Sequence, residues 1–170
     1  GVKCAAIMHD TAGNGFDFYI DPDPKREESG TIFNATRPSF KFDPQPTSKA
    51  RNKIAIGSFG FGFSDKGFDK ICKLVNNEFD EAIITKPDIE LNITNNFIDD
   101  ETLLCFLSLN DINIFAYDEM PNRGPSSVLD YAVSVEKPIG LSDSDMFRHV
   151  LCDYRDQLSI ETNSISSLAN

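Results

Sequence analysis

The sequence predicts an α/β domain in which a mostly parallel sheet carries helices on both faces, preceded by an irregular N-terminal arm. Three observations carry that expectation. From Lys53 onward, short apolar runs alternate with helical patterns, the sequence form of a parallel sheet covered on both sides. Phe68, Ile71, Cys72, Val75 and Phe79 recur at i, i+3, i+4, i+7 and i+11, which is one face of an amphipathic helix. Before Lys53, the stretch from Asp21 to Arg51 holds Pro22, Pro24, Pro38, Pro44 and Pro46 among many charges. It has no period and reads as an extended arm. The expected division is 1–52 for strand and arm and 53–170 for the α/β domain.

Taken in order, Val2 to Met8 reads as a short strand, Thr11 to Gly15 as turn chemistry, and Phe16 to Ile20 as a second extended run. Lys53 to Ser58 is an apolar strand, followed by a Gly-rich loop and the amphipathic helix. Glu81 to Thr85 and Ile89 to Thr94 both read as strands, yet only Lys86-Pro87-Asp88 lies between them. A parallel pair needs a crossover of about a dozen residues, so these two runs are antiparallel, unpaired, or separated by a missing segment. Asp99 or Asp100 caps the next helix, with Leu103, Leu104, Phe106 and Leu107 on its apolar side. Asp111 to Tyr117 is a strand. Ser126 to Val135 is a helix with Val128, Leu129, Ala132 and Val133 inward. Lys137 to Leu141 and Gln157 to Glu161 complete the strands.

Composition excludes several functions. Acids outnumber bases 27 to 16, a net charge of −11, which argues against a general nucleic-acid binder. An acidic chain still binds one phosphorylated ligand through local groups. No apolar run approaches the roughly 18–20 residues of a membrane span, and no signal peptide is visible. Cys4, Cys72, Cys105 and Cys152 form no CxxC pair and only two histidines are present, so neither a structural zinc site nor any other metal is expected. Cys72 and Cys105 sit in apolar helical patterns, and buried free thiols suit a reducing, cytoplasmic compartment.

Two segments have the chemistry of a phosphate site. In the first, Ile56-Gly57-Ser58-Phe59-Gly60-Phe61-Gly62-Phe63-Ser64-Asp65-Lys66-Gly67, a strand runs into a Gly-rich loop and a helix start. Missing Cβ atoms let a ligand approach Gly57, Gly60 and Gly62, amides at the helix start face an anion, and Ser58 and Lys66 add a hydroxyl and a cation. The pattern is neither GxGxxG nor GxxxxGK[ST], and a glycine-rich turn packed on phenylalanines is the alternative. The second is Asn122-Arg123-Gly124-Pro125-Ser126-Ser127, at the end of a strand and the start of a helix. There Arg123 offers a fork to phosphate oxygens, and Ser126 or Ser127 caps the helix. Plain capping is the alternative. Asp118, Glu119 and Asp130 cluster nearby. Asp118 reads as a solvated loop acid, whereas Glu119 and Asp130 are candidates for sugar or ribose hydroxyls and for catalysis. His9 and Arg148-His149 read as packed or surface groups.

Together these runs resemble a known family. The run IGSFGFGFSDKGFDKICKLVNNEFDEAII resembles the opening of the C-terminal domain of GT-B-type glycosyltransferase-like proteins of bacteria, phages and large viruses. The run FLSLNDINIFAYDEMPNRGPSSVLDYAVSVEKPIGLSDSDMFRH resembles its second signature, and the likeness covers about Lys53 to Ser164. It implies a Rossmann-like domain that binds a nucleoside diphosphate sugar. Gly57 to Lys66 would approach the diphosphate, Arg123 to Ser127 would supply further amides, and Glu119 or Asp130 would hold hydroxyls. It implies transfer to a glycan or other hydroxyl acceptor without a cofactor, and residues 1–52 as the remnant of an acceptor domain. A non-catalytic nucleotide- or glycan-binding or assembly module is the rival reading. The family's retaining members carry two glutamates about eight residues apart at this loop, where this chain has only Glu119 and Asp130.

Overall fold

The computed structural model describes residues 3–7, 16–23, 32–35, 39–43, 53–78, 88–121 and 123–154 of the 170. Every strand pairing among them is parallel. Strands β1 (Ala5–Ile7), β2 (Phe18–Asp21) and β3 (Ile32–Asn34) form one sheet in that order. Strands β4 (Lys53–Phe59), β5 (Asp88–Thr94), β6 (Ile112–Phe115) and β7 (Ile139–Leu141) form a second, in the order β5-β4-β6-β7. The helices are α1 (Phe68–Glu78), α2 (Asp100–Ser108), α3 (Val128–Ser134) and α4 (Arg148–Tyr154).

The second sheet is wound in both directions from β4. After β4 the chain forms α1 and pairs β5 on one side, then passes through α2 and pairs β6 on the other. Side chains alternate between faces along a strand, and the cores follow that alternation. Ile56, Ile114 and Ala116 pack with Ile71 and Val75 of α1, joined by Ile89, Leu91 and Ile93 of β5. On the opposite face Phe115 and Tyr117 pack with Val128, Leu129 and Ala132 of α3 and with Phe147 and Leu151. Leu103, Leu104 and Leu107 of α2 extend that layer. This is a Rossmann-like, doubly wound arrangement with helices on both faces, as the alternation of strands and helices predicts.

Strand β5 pairs along its full length with β4, from Lys53↔Asp88 to Phe59↔Thr94. Helix α1 is the crossover that a parallel pair requires. The run Glu81 to Thr85, read as a strand, lies outside the described residues, as do His9 and Gln157 to Glu161.

Other details differ from the expectation. Besides β1 and β2, which lie on the runs Val2 to Met8 and Phe16 to Ile20, the N-terminal segment contributes β3, and Phe40 and Phe42 pack on the α2 cluster. Phe40 stacks on Tyr131 with ring centroids 4.1 Å apart. Three-residue strands such as β3 are too short to show a period between prolines. Cys105 is exposed rather than buried, because α2 turns Leu103, Leu104 and Leu107 inward and leaves position 105 on the solvent side. Val133 is half exposed and Val135 is buried in its place. Asp99 is the cap of α2, its carboxylate accepting from the Thr102 N–H at 3.0 Å. No helix among the described residues is long and apolar enough to cross a membrane.

The two sheets are joined by a buried ion pair. Arg148, at the start of α4, donates from Nε and Nη2 to the Asp23 carboxylate at 3.0 and 2.6 Å. Asp23 follows β2, so this bidentate contact ties the first sheet to the last helix. Hydrogen bonding from Asp23 and the nearby carboxylates of Asp145 and Asp21 raise the Arg148 pKa, against the opposing effect of burial.

Candidate functional site

The carboxyl ends of β4, β5 and β6 open onto a cavity of about 480 Å³. Strands β4 and β6 are the neighbours between which the winding reverses, and open α/β sheets bind ligands in the crevice at that point. Three loops build the walls. The β4 loop supplies Gly60, Phe61, Phe63, Asp65 and Lys66; the β5 loop supplies Asn95 to Asp100; the β6 loop supplies Tyr117 and Arg123 to Ser127. Phe59 and Tyr131 add aromatic surface from below.

The β4 loop is seated against β6 and the loop that follows it. After β4 it turns at Gly60 (φ 146°), makes a 3-10 turn over Ser64–Lys66 and enters α1 through Gly67 at φ 67°. A Cβ at Gly67 would stand 2.0 Å from the Ala116 carbonyl oxygen, so only glycine fits there. The Asp118 N–H donates to the Asp65 carbonyl at 2.8 Å. Lys70 of α1 pairs with the Asp118 carboxylate. Asp118 is therefore a strap between α1 and the β6 loop.

Lys66 is the unusual residue. Only 9% of it is exposed. Its ammonium stands 4.0 Å from the Tyr117 ring centroid, a cation–π contact, and 4.0 Å from the Asp65 carboxylate, beyond hydrogen-bonding range. Burial lowers its pKa, Asp65 opposes that, and the Arg123 guanidinium lowers it further. Two like charges thus share one cavity, and among the described residues no carboxylate pairs with Arg123. Arg123 is exposed, so solvent screens part of that repulsion, and an anion entering the cavity would meet both cations.

The expected residues divide accordingly. Gly60, Lys66, Arg123, Gly124, Ser126 and Ser127 all line the cavity, so both phosphate segments meet in one cleft. Gly57, Ser58 and Gly62 are not part of its lining. Gly57 faces the turn between α2 and β6, where a Cβ would stand 1.9 Å from Asn110 Nδ2. It makes room for a buried network in which Asn110 donates to Asn113 at 2.9 Å and Asn92 donates to Asn110 at 3.0 Å. Ser58 is buried within the sheet. Gly62 abuts Asn95.

The amide cradle expected of the loops takes another form. The N–H groups of Gly60, Phe63, Lys66 and Gly67 donate to Thr94, Phe61, Phe63 and Ser64 carbonyls. The Ser126 N–H donates to Met146 at 2.8 Å, and Ser127 makes no side-chain cap. Side-chain cations, rather than amides of these residues, supply the positive charge.

Glu119 and Asp130 are engaged away from the cavity. Glu119 is exposed and accepts from the Asp145 N–H at 2.7 Å. Asp130 faces His149 of α4 at 3.8 Å, both side chains nearly sealed from solvent. The acids that do line the cavity are Asp65, Asp99 and Asp100, and Asp100 accepts from the Tyr131 hydroxyl at 2.8 Å. That contact and burial raise the Tyr131 pKa, burial first, to about 12.

Comparison with protein-family models and with curated proteins finds no match for this chain. The site therefore stands on its geometry.

Sequence reasoning overlooked the β5 loop and Tyr117. The signal was available: once β5 is placed beside β4, its carboxyl-end loop must border the same crevice. Phe97 on that loop is almost wholly exposed, and Phe61 and Phe63 of the β4 loop are about two-thirds exposed, an apolar rim around the cavity. Among the described residues no group of three or more His, Cys, Asp or Glu could hold a metal ion.

Proposed function

We propose that the cavity binds a nucleoside diphosphate, carried as a nucleoside diphosphate sugar, and that the chain is the donor-binding part of a GT-B-type glycosyltransferase. The observation that carries the ligand class is the convergence of buried Lys66 and exposed Arg123 on one cavity at the sheet's winding reversal. A diphosphate neutralises both cations. Phe61, Phe63 and Phe97 offer flat apolar surface to a base, and cavities of this kind pair apolar lining with a few placed polar groups. Asp99 and Asp100 border the cavity as acceptors for ribose or sugar hydroxyls.

The transferase part of the reading rests on the sequence resemblance. In such a reaction the acceptor hydroxyl oxygen attacks the anomeric carbon, the sugar–phosphate bond breaks with its electron pair leaving on the diphosphate, and the hydroxyl proton passes to solvent. Lys66 and Arg123 would stabilise the charge that gathers on the departing diphosphate, an electrostatic role. One observation favours the second reading, a nucleotide-binding module without catalysis: both carboxylates suggested by the resemblance, Glu119 and Asp130, are held away from the cavity.

Calorimetry tests the ligand class. Lys66→Ala and Arg123→Ala are each expected to weaken nucleoside diphosphate binding about ten- to a hundredfold, the worth of a charge-assisted hydrogen bond, and to leave a bare nucleoside unaffected. Equal diphosphate affinity in wild type and both variants would end the proposal. Sugar release from bound donor in the presence of a hydroxyl acceptor separates enzyme from binding module.

A further inference from the structure

Tyr117 follows β6 at the floor of the cavity and is fully buried. Its hydroxyl has no hydrogen-bond partner among the described residues. Buried tyrosine hydroxyls ordinarily have one. The Ser126 side chain lies beside it, near enough to oppose the rise in its pKa, without the geometry of a hydrogen bond. Gly60 lies on the other side. Within 4 Å of where a Gly60 Cβ would stand there are two atoms, the Tyr117 hydroxyl oxygen at 3.1 Å and a Phe68 ring carbon at 3.9 Å. The hydroxyl thus sits sealed from solvent where the β4 and β6 loops meet, and a ligand oxygen reaches it by parting them.

The charge around it selects the ligand. The Lys66 ammonium lies over the same ring, and Arg123 is near enough to Lys66 to perturb it. One phosphoryl group can touch the ammonium and the phenol together. Burial holds the phenol protonated well above its ordinary range, so it acts as a donor.

We infer that the Tyr117 hydroxyl is a third ligand-binding donor, which hydrogen-bonds an anionic phosphoryl oxygen held between the Gly60 and Ser126 loops and neutralised by Lys66 and Arg123. The inference rests on the reading of this cavity as a phosphate site, and names a residue that the two phosphate segments do not contain. It accounts for an orphaned hydroxyl beside two cations that border the same cavity.

The test is Tyr117→Phe, which removes one oxygen and keeps the ring under Lys66. Inorganic pyrophosphate is the probe, titrated by calorimetry, and the ligand-free thermal midpoint is read alongside. The expected result is pyrophosphate binding weakened about tenfold or more, with a midpoint equal to wild type or higher, since an unpaired buried hydroxyl is being removed. Unchanged pyrophosphate affinity overturns the inference. So does a ligand-free midpoint several degrees lower, which would mean that the hydroxyl already serves a bond within the protein. So does a wild type that binds no pyrophosphate. If wild type binds pyrophosphate through Tyr117 but binds no nucleoside diphosphate more tightly, the inference stands and the nucleotide reading fails.

Discussion

Asp23→Ala should loosen the whole molecule, because it strands a buried guanidinium. Both partners are more than nine-tenths buried, and the pair is bidentate at 3.0 and 2.6 Å. Removing one partner of such a pair typically costs about 3–5 kcal/mol, most of it from the charge left uncompensated. Here Arg148 keeps other contacts: Nη1 donates to the Arg123 and Asp145 carbonyls at 3.1 and 2.8 Å and to the Asp145 carboxylate at 3.2 Å. The Asp145 side chain is 45% exposed, so its compensation is screened, and the expected loss lies near the lower end, about 3 kcal/mol. For a chain of this size that lowers the thermal midpoint by roughly 6–12 °C. Asp23→Asn retains a neutral acceptor and should lose less. Differential scanning calorimetry of the three proteins measures the series. A midpoint within about 2 °C of wild type for Asp23→Ala would refute the claim that this pair fastens the first sheet to the second. The Arg123 carbonyl shares the same guanidinium, so the variant should also weaken pyrophosphate binding beyond the effect of stability alone.

Lys66→Met should raise ligand-free stability near neutral pH while weakening anion binding, because it removes a cation that burial disfavours. The folded-state pKa of Lys66 lies below 10.5, so the unfolded chain binds more protons between the two values and wild-type stability rises with pH across that window. The advantage of Lys66→Met should therefore shrink as pH climbs toward 10.5, and thermal midpoints along a pH series that show a constant or growing advantage would contradict it. Gly67→Ala should cost more than the roughly 1–3 kcal/mol of left-handed backbone strain, since its Cβ also meets the Ala116 carbonyl oxygen at 2.0 Å; a denaturant titration that matches wild type would mean the loop is not seated against β6. Gly57→Ala should be similarly damaging without altering the pyrophosphate affinity of the molecules that fold, because its neighbours are Asn110 and Asn113 rather than ligand.

Much of this architecture is legible in the residues, where periods are long enough to read. The face of α1 follows from Phe68, Ile71 and Val75, and the inner strands from Lys53 to Ser58 and Asp111 to Tyr117. Strands β1 and β2 lie on the runs Val2 to Met8 and Phe16 to Ile20, whereas the three-residue β3 is hidden because a period needs more residues than it contains. The helix α4 escaped notice although Ser144 marks its approach: the Ser144 hydroxyl accepts from the Met146 N–H at the 3-10 turn Asp145–Phe147 that leads into it. The convergence of Lys66 with Arg123 was legible from two strand ends. The glycines misled, since composition cannot distinguish a glycine that admits a ligand from one that admits an asparagine, as at Gly57. Local hydrogen bonding decided the amides: a tight turn spends its own N–H groups, and the Gly60 to Gly67 loop does so at four positions.

The most direct test of the central claim is a crystal structure of the chain with a nucleoside diphosphate. The account predicts the diphosphate in the cavity at the carboxyl ends of β4 and β6, with phosphoryl oxygens on Lys66 Nζ and the Arg123 guanidinium and the base against the Phe61, Phe63 and Phe97 rim. A diphosphate bound elsewhere on the protein, or a cavity still empty at saturating ligand, would contradict it.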